Sequence, residues 1–169
     1  MNKVLKDIID EIDQKFKCFQ MGFGNDSWRK NIPSEPGWYI IKTNTPISVL
    51  KSIDPPQYKA HIDIPQTIDK ASILRELGIA IIQPDNDDYV VYNGEAVNLK
   101  ARAREHERGH PRTYCLGLSN YETLRRYKWT YCYVAVSSCK AHPNMDKLLR
   151  LAVEQGWRAK HGWPILCSR

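Results

Sequence analysis

Apolar side chains recur along residues 2–17 at intervals of one, three and four positions, which is the spacing of one face of a helix. The positions are Val4, Leu5, Ile8, Ile9, Ile12 and Phe16. They predict an amphipathic N-terminal helix that packs against the core. Residues 18–36 contain several glycines and prolines and are predicted to be a loop.

Three short runs rich in aromatic and β-branched residues predict strands. They read GWYIIKT at 37–43, YVVY at 89–92 and WTYCYVAVS at 129–137. Gly94 predicts a tight turn after the second run. The first two strands are expected to form a hairpin, and the third needs a crossover connection to join the same sheet.

Helical patterns occupy much of the remaining chain. We predict helices over 67–77, over 96–106, from Ser119 or Asn120 through Tyr127, and from Pro143 to about Trp157. The proline-rich stretch 44–88 is too short for a core of its own and is interpreted as an insertion.

The element order predicts one domain over 1–169 of the α/β (α+β mixed) class. A small, mixed, three-stranded central sheet would be flanked by helices. Residues 1–36 would form an N-terminal extension, and 44–88 a large insertion between the first two strands.

Composition restricts the classes of protein to consider. The chain has 169 residues, of which 42% are hydrophobic and 26% are charged, as in ordinary globular proteins. The N-terminus lacks a leader pattern, and no apolar run approaches the roughly 20 residues that cross a bilayer. A cytoplasmic location without membrane association is therefore expected. The five cysteines form no CxxC pair and are predicted to be reduced structural thiols.

Positive charge is concentrated in one part of the chain. The net charge is +6, and residues 100–128 carry eight basic against three acidic side chains. Residues 44–88 carry four basic and seven acidic ones. A segment of this kind suits a phosphate-tracking surface, although a solvated helix face would look the same.

A set of chemically apt residues lies on the predicted elements. Tyr39 and Tyr92 belong to neighbouring strands, and Arg102 and His106 share one face of a helix because they are four residues apart. Glu154 lies on the last helix. Phosphodiester cleavage needs a base, a cation for the developing charge and a carboxylate for a divalent ion. Taken alone, none of these residues is evidence of a site, because each residue type more often has an ordinary structural role.

Four segments resemble the signature of the GIY-YIG nuclease superfamily. GWY at 37–39 and YNG at 92–94 are similar to its two tripeptides. The run 94–106 is similar to its glycine, Asn-Leu, arginine and histidine pattern, with Asn98, Leu99, Arg102 and His106 in place. Residues 154–166 resemble its glutamate helix and proline-containing tail. The resemblance covers about 37–43 and 90 to the C-terminus.

The resemblance implies a DNA endonuclease that uses one Mg²⁺ or Mn²⁺ ion. Tyr39 and Tyr92 would line the site, and Tyr39, either partly deprotonated or hydrogen-bonded to water, would assist attack. Arg102 would hold the phosphate, His106 would position a phosphate or the partner of the nucleophile, and Glu154 would be the metal ligand. We expect DNA contacts from Lys100, Arg104, Arg108 and Arg112.

The sequence departs from the family pattern in three ways. Trp38 and Asn93 replace the middle isoleucines, where effects on packing are expected. The two tyrosines are 53 positions apart, and the chain between them contains the insertion, which could read DNA, dimerise or merely decorate the domain. The family asparagine near the C-terminus is missing, and Cys167 or Ser168 occupies its neighbourhood.

Three functions follow from these features. The first is a nuclease, by analogy a restriction-type enzyme that acts on duplex DNA as a homodimer. The second is a nucleic-acid-binding module with a degenerate, inactive site. The third is an interaction protein whose basic face meets an acidic partner.

Overall fold

A computed structural model describes residues 3–84, 88–139 and 146–167. Its helices and strands follow one another as α1 (Lys3–Lys15), β1 (Lys17–Gln20), β2 (Gly37–Thr43), α2 (Ile47–Lys51), α3 (Ile64–Glu76), β3 (Tyr89–Ala96), α4 (Leu99–Arg108), β4 (Trp129–Ala135) and α5 (Lys147–His161). The mixed α and β class is confirmed. Pro143, where the last helix was predicted to begin, lies outside the described residues.

The sheet has four strands in the order β1-β4-β2-β3, with every neighbouring pair antiparallel. The prediction of a three-stranded mixed sheet was therefore wrong. The additional strand, β1, lies in the segment predicted to be a loop. It has only four residues, too few for a clear alternation of apolar and polar positions, and it is formed by pairing with β4.

A disulfide joins the two strands at one edge of the sheet. Cys18 of β1 lies directly opposite Cys132 of β4, and the two sulfurs are bonded. The prediction that all cysteines are reduced was wrong for this pair, because only strand register brings residues 114 positions apart into contact. Cys115, Cys139 and Cys167 are free and buried.

The strand β3 continues past the position where a turn was predicted. Gly94 lies within β3 and pairs with Tyr39, so the chain turns only after Ala96. Asn98 then begins α4, because its side-chain oxygen accepts a hydrogen bond from the amide of Ala101 at 2.9 Å. Helix α4 therefore starts later than predicted and runs to Arg108.

The two faces of the sheet carry separate cores. Alternation along β2 sends Trp38 and Ile40 to the face covered by α1 and α5, and Tyr39 and Ile41 to the opposite face. The second face is covered by α4 and by the insertion. The short helix predicted before β4 is instead two 3₁₀ turns, Leu118–Asn120 and Thr123–Arg126.

The insertion packs onto the domain rather than forming its own core. Ile62, Ile64 and Ile68 are buried in the same cluster as Tyr39. Helix α3 begins three residues before the predicted start, because the Asp63 carboxylate accepts a hydrogen bond from the amide of Gln66 at 3.0 Å. Within the described ranges, no helix has the length and apolar character needed to cross a membrane.

Candidate active site

The hydroxyl of Tyr39 lies where two of the predicted site residues, Arg102 and His106, converge. Its oxygen is 2.9 Å from Arg102 Nε and 3.0 Å from His106 Nε2. The Tyr39 side chain is fully buried, and burial raises its pKa to about 12 although the nearby Arg102 lowers it. The phenol is therefore protonated at neutral pH.

Hydrogen bonding assigns one tautomer to His106. The amide of Leu116 donates to Nδ1 at 3.3 Å, so the neutral ring carries its proton on Nε2 and donates it to Tyr39. Burial and the adjacent Arg102 hold the pKa of His106 well below its usual value. The Tyr39 oxygen thus accepts two hydrogen bonds, one from Arg102 and one from His106.

Arg102 is fixed on three sides. Besides Tyr39, its guanidinium donates to Glu105 at 2.9 Å and to the carbonyl oxygen of Tyr114 at 2.6 Å. A guanidinium has five N–H groups, so two remain for a ligand. The side chain is 17% exposed, which leaves it accessible to a phosphate at the surface.

Tyr92 completes the aromatic part of the site. Its ring centroid is 6.1 Å from that of Tyr39, in a stacked arrangement, and 4.8 Å from that of His106. Burial raises the pKa of Tyr92 well above its usual value. The glycine that follows in YNG has a steric role, since a Cβ on Gly94 would lie 2.5 Å from the Tyr39 hydroxyl oxygen.

Glu154 lies beside the same stretch of β3. Its Oε2 accepts a hydrogen bond from the amide of Glu95 at 3.0 Å, and its Oε1 pairs with Arg158 at 2.5 Å. Glu95 follows Gly94, the glycine that makes room for Tyr39. The Glu154 carboxylate and the Tyr39 phenol therefore contact β3 at two successive residues. Burial raises the pKa of Glu154, while Arg158 lowers it. The charge of Glu154 in turn raises the pKa of both Tyr39 and Tyr92.

A buried polar cluster supports Glu154, and the sequence analysis missed it. Arg158 Nε donates to the Asn93 side-chain oxygen at 2.7 Å, and its guanidinium stacks on Trp163 at 4.5 Å. Asn93, expected to affect packing, is thus a hydrogen-bonding partner of the site. The sign available in the sequence was the four-residue spacing of Glu154 and Arg158, but the last helix was predicted to end at about Trp157, whereas α5 runs to His161.

Cys167 occupies the neighbourhood of the missing asparagine. Its sulfur accepts a hydrogen bond from the Asn93 amide at 3.3 Å and lies 3.4 Å from the Asn93 side-chain oxygen. Burial raises the pKa of this thiol to about 12, so it is uncharged at neutral pH. The side-chain nitrogen of Asn93 donates to the backbone carbonyl oxygen of Glu154 at 3.4 Å, so Asn93 contacts both Cys167 and Glu154.

The four predicted DNA contacts differ in their surroundings. Arg104 and Arg112 are exposed, whereas Lys100 is half-buried and donates to the carbonyl oxygen of Lys30. Arg108 is exposed but pairs with Asp26. One surface depression is lined by Lys30, Lys100 and Arg104. Lys30 was not among the predicted DNA contacts.

The carboxylate of Glu154 has the lone pairs that a divalent ion would need. Each Glu154 oxygen accepts one hydrogen bond in the structure and has a second lone pair. In the described part of the chain, no three His, Cys, Asp or Glu side chains form a metal-binding group. An ion here would be held through Glu154 and water, and Mg²⁺ commonly retains several waters.

Comparisons with protein-family models, curated proteins and solved structures found no match to this chain.

Proposed function

We propose that the protein is a divalent-metal-dependent endonuclease that hydrolyses phosphodiester bonds in DNA. The observation that carries the proposal is that the guanidinium of Arg102 and the imidazole of His106 both contact the Tyr39 hydroxyl. Glu154 accepts a hydrogen bond from the amide of Glu95, which follows the strand residue that pairs with Tyr39. The resemblance to the GIY-YIG superfamily supports it, because four of the five site residues come from its tripeptides and its arginine-histidine helix.

The geometry suggests a role for each side chain. The two remaining N–H groups of Arg102 would bind the scissile phosphate and its developing charge. The Tyr39 hydrogen would orient the attacking water, since a pKa of about 12 favours a hydrogen-bonding phenol over a standing phenolate. Arg102 and His106 would hold the phenol oxygen in place through their two hydrogen bonds, and the proton lost by the attacking water would pass to bulk water, since the neutral phenol keeps its own hydrogen. A divalent ion on Glu154 would supply positive charge to the phosphate oxygens.

The basic surface near α4 would hold the DNA backbone. Lys100 and Arg104 of α4 line one surface depression together with the neighbouring Lys30, while Arg102 and His106 of the same helix contact Tyr39. Phosphate contacts of this kind position a duplex and make binding weaken with salt. A restriction-type enzyme acting as a homodimer on duplex DNA, in the cytoplasm, is the form of this activity that we propose.

The test is cleavage of plasmid and phage DNA by the native chain and by Glu154→Gln, with Mg²⁺, with Mn²⁺ and with chelator. We expect discrete fragments that require the ion and disappear in the variant. Glu76→Gln, a substitution of an exposed acid at the end of α3, is the matched control and should cut normally. A smear instead of fragments would retain the nuclease and remove the restriction-type assignment.

A second function is favoured by a specific observation. Both oxygens of Glu154 are already hydrogen-bonded, one of them to a buried arginine, which would suit a nucleic-acid-binding module with an inactive site. Salt-sensitive DNA binding without cleavage under any ion condition would support this module and overturn the nuclease.

A further inference from the structure

The insertion contacts the segment that supports two of the site residues. Residues 109–117 follow α4 and lie against the site, where the Tyr114 carbonyl oxygen accepts a hydrogen bond from Arg102 and the Leu116 amide donates to His106. Cys115, between them, pairs with the insertion through a parallel bridge to His61 and a 2.9 Å hydrogen bond from the Ile62 amide. Cys115 therefore connects the insertion to the two neighbouring backbone groups that form hydrogen bonds with Arg102 and His106.

The imidazole of His61 makes this contact specific. It is 3% exposed, and its Nε2 accepts a hydrogen bond from the amide of His110 at 3.0 Å. Its neutral ring then carries the proton on Nδ1. His61 thus holds the segment near its beginning with its side chain and at Cys115 with its backbone.

The backbone of two glycines in the segment lies close to the His61 ring. A Cβ on Gly109 would lie 2.3 Å from His61 Cε1, and one on Gly117 would lie 2.8 Å from His61 Nδ1. Both glycines have positive φ, of 84° and 60°, a conformation that other residues rarely adopt. The backbone closes on the imidazole from both ends of the segment, which leaves little room for the segment to move while His61 is in place.

We propose that His61 is a positioning residue of the active site, which acts through segment 109–117 to hold His106 in one tautomer and Arg102 in one orientation. The insertion is then a structural support for the site rather than a decoration. The kinetic part of this inference rests on the proposed nuclease function, whereas the part that concerns His106 does not.

The first measurement is ¹⁵N NMR of the histidine rings in the full chain. We expect the native His106 to show a single tautomer protonated on Nε2, and His61→Ala to shift it toward a mixture as the Leu116 donor moves. His61→Gln should restore much of the native signal, because its amide oxygen can accept the His110 hydrogen bond. Ile68→Ala, which removes buried volume from α3 of the same insertion, is the control for lost stability and should leave the tautomer unchanged.

The second measurement is plasmid cleavage by the same variants. His61→Ala should lower kcat up to about 100-fold with little change in KM, as expected when a catalytic group is displaced by about 1 Å. His61→Gln should recover activity, and Ile68→Ala should be active at temperatures where it is folded.

The outcomes separate the two proposals. An unchanged His106 tautomer in folded His61→Ala overturns the positioning role. If the alanine variant fails to fold, His61→Leu takes its place, because leucine fills the space but cannot accept the His110 hydrogen bond, and an unchanged tautomer with native kcat in that variant overturns the positioning role. If native protein shows the predicted NMR behaviour but no cleavage, the nuclease proposal fails while the positioning of His106 by His61 stands.

Discussion

The candidate site consists of two halves that are stabilised in different ways. The tyrosine half, made of Tyr39, Tyr92, Arg102 and His106, is aromatic and contains one charge, which is partly balanced by Glu105. The glutamate half, made of Glu154, Glu95, Asn93, Arg150 and Arg158, contains two buried ion pairs. Neutral groups set the geometry of the first half, and charge balance sets that of the second.

The difference determines how strongly each half should be destabilised by the loss of one side chain. Loss of one aromatic ring from the tyrosine half leaves Arg102 still paired with Glu105 and partly exposed, so no buried charge loses its partner. Loss of one arginine from the glutamate half leaves a buried carboxylate without its partner, which is costly because the remaining charge has little access to water. The glutamate half should therefore be the more sensitive to changes outside the residues that touch a substrate.

The largest expected effect is removal of the charge from the tyrosine half. Arg102→Met should lower kcat on DNA by about 100- to 1,000-fold, the usual cost of losing a donor to developing negative charge. Arg104→Met removes an exposed arginine from the same helix and should mainly weaken DNA binding. Initial-rate kinetics on a plasmid measures both. Equal losses in the two variants would contradict a catalytic role for Arg102.

The next effect concerns Arg158 in the glutamate half. Arg158→Met should weaken Mn²⁺ binding by about 10- to 100-fold, since hydrogen-bonding partners orient a ligating carboxylate. Titration calorimetry without DNA measures the affinity, and Arg158→Lys should retain part of it. Arg150→Met removes an equally buried cation of α5 that pairs with Glu95, so its loss of affinity should be smaller. An affinity unchanged by the loss of Arg158 would contradict this account.

The tyrosine half was predictable from the sequence because local spacing encodes it. A helix brings Arg102 and His106 to one face, and antiparallel pairing of two short strands brings Tyr39 next to Gly94. Strand β2 was predicted with the observed bounds, since its aromatic and β-branched run is flanked by clear breakers.

The rest could not be predicted because it depends on contacts between distant residues. Asn93, Arg158 and Cys167 meet only when α5 and the tail pack against β3. The disulfide and β1 depend in the same way on pairing with β4. The turn assigned to Gly94 was wrong for a related reason, because the glycine is needed for the Tyr39 hydroxyl across the strand rather than for backbone conformation.

A substitution at Gly94 should show how tightly the tyrosine half is packed. Gly94→Ala would place a methyl group 2.5 Å from the Tyr39 oxygen, so the phenol must move away from Arg102 and His106. We expect the free energy of unfolding to fall by about 1–3 kcal/mol, as for other overpacked sites, together with a loss of activity. Gly22→Ala, where the nearest atom is a side-chain nitrogen at 3.3 Å, is the control in urea unfolding. Equal stability of the two variants would show that Tyr39 has room to adjust.

The smallest expected effect is a pH dependence of the free energy of unfolding. It arises from His61, which supports the tyrosine half through segment 109–117. Burial lowers the pKa of His61 below its usual value of 6.5, although the His110 backbone raises it. The folded state therefore favours the neutral ring more than the unfolded state does. The stability associated with His61 is complete above a pH of about 6.5 and is lost as the pH falls below it.

Urea unfolding at a series of pH values tests this dependence. His61→Gln should flatten the fall in unfolding free energy on the acid side without removing it, because His106 also has a lowered pKa and contributes with the same sign. His161→Gln, on the surface of α5, replaces an imidazole that pairs with Asp13 away from segment 109–117 and is the control. If the His61 variant shows the full native dependence, protonation of this ring does not loosen the segment, and the acid sensitivity of the tyrosine half arises at His106 itself.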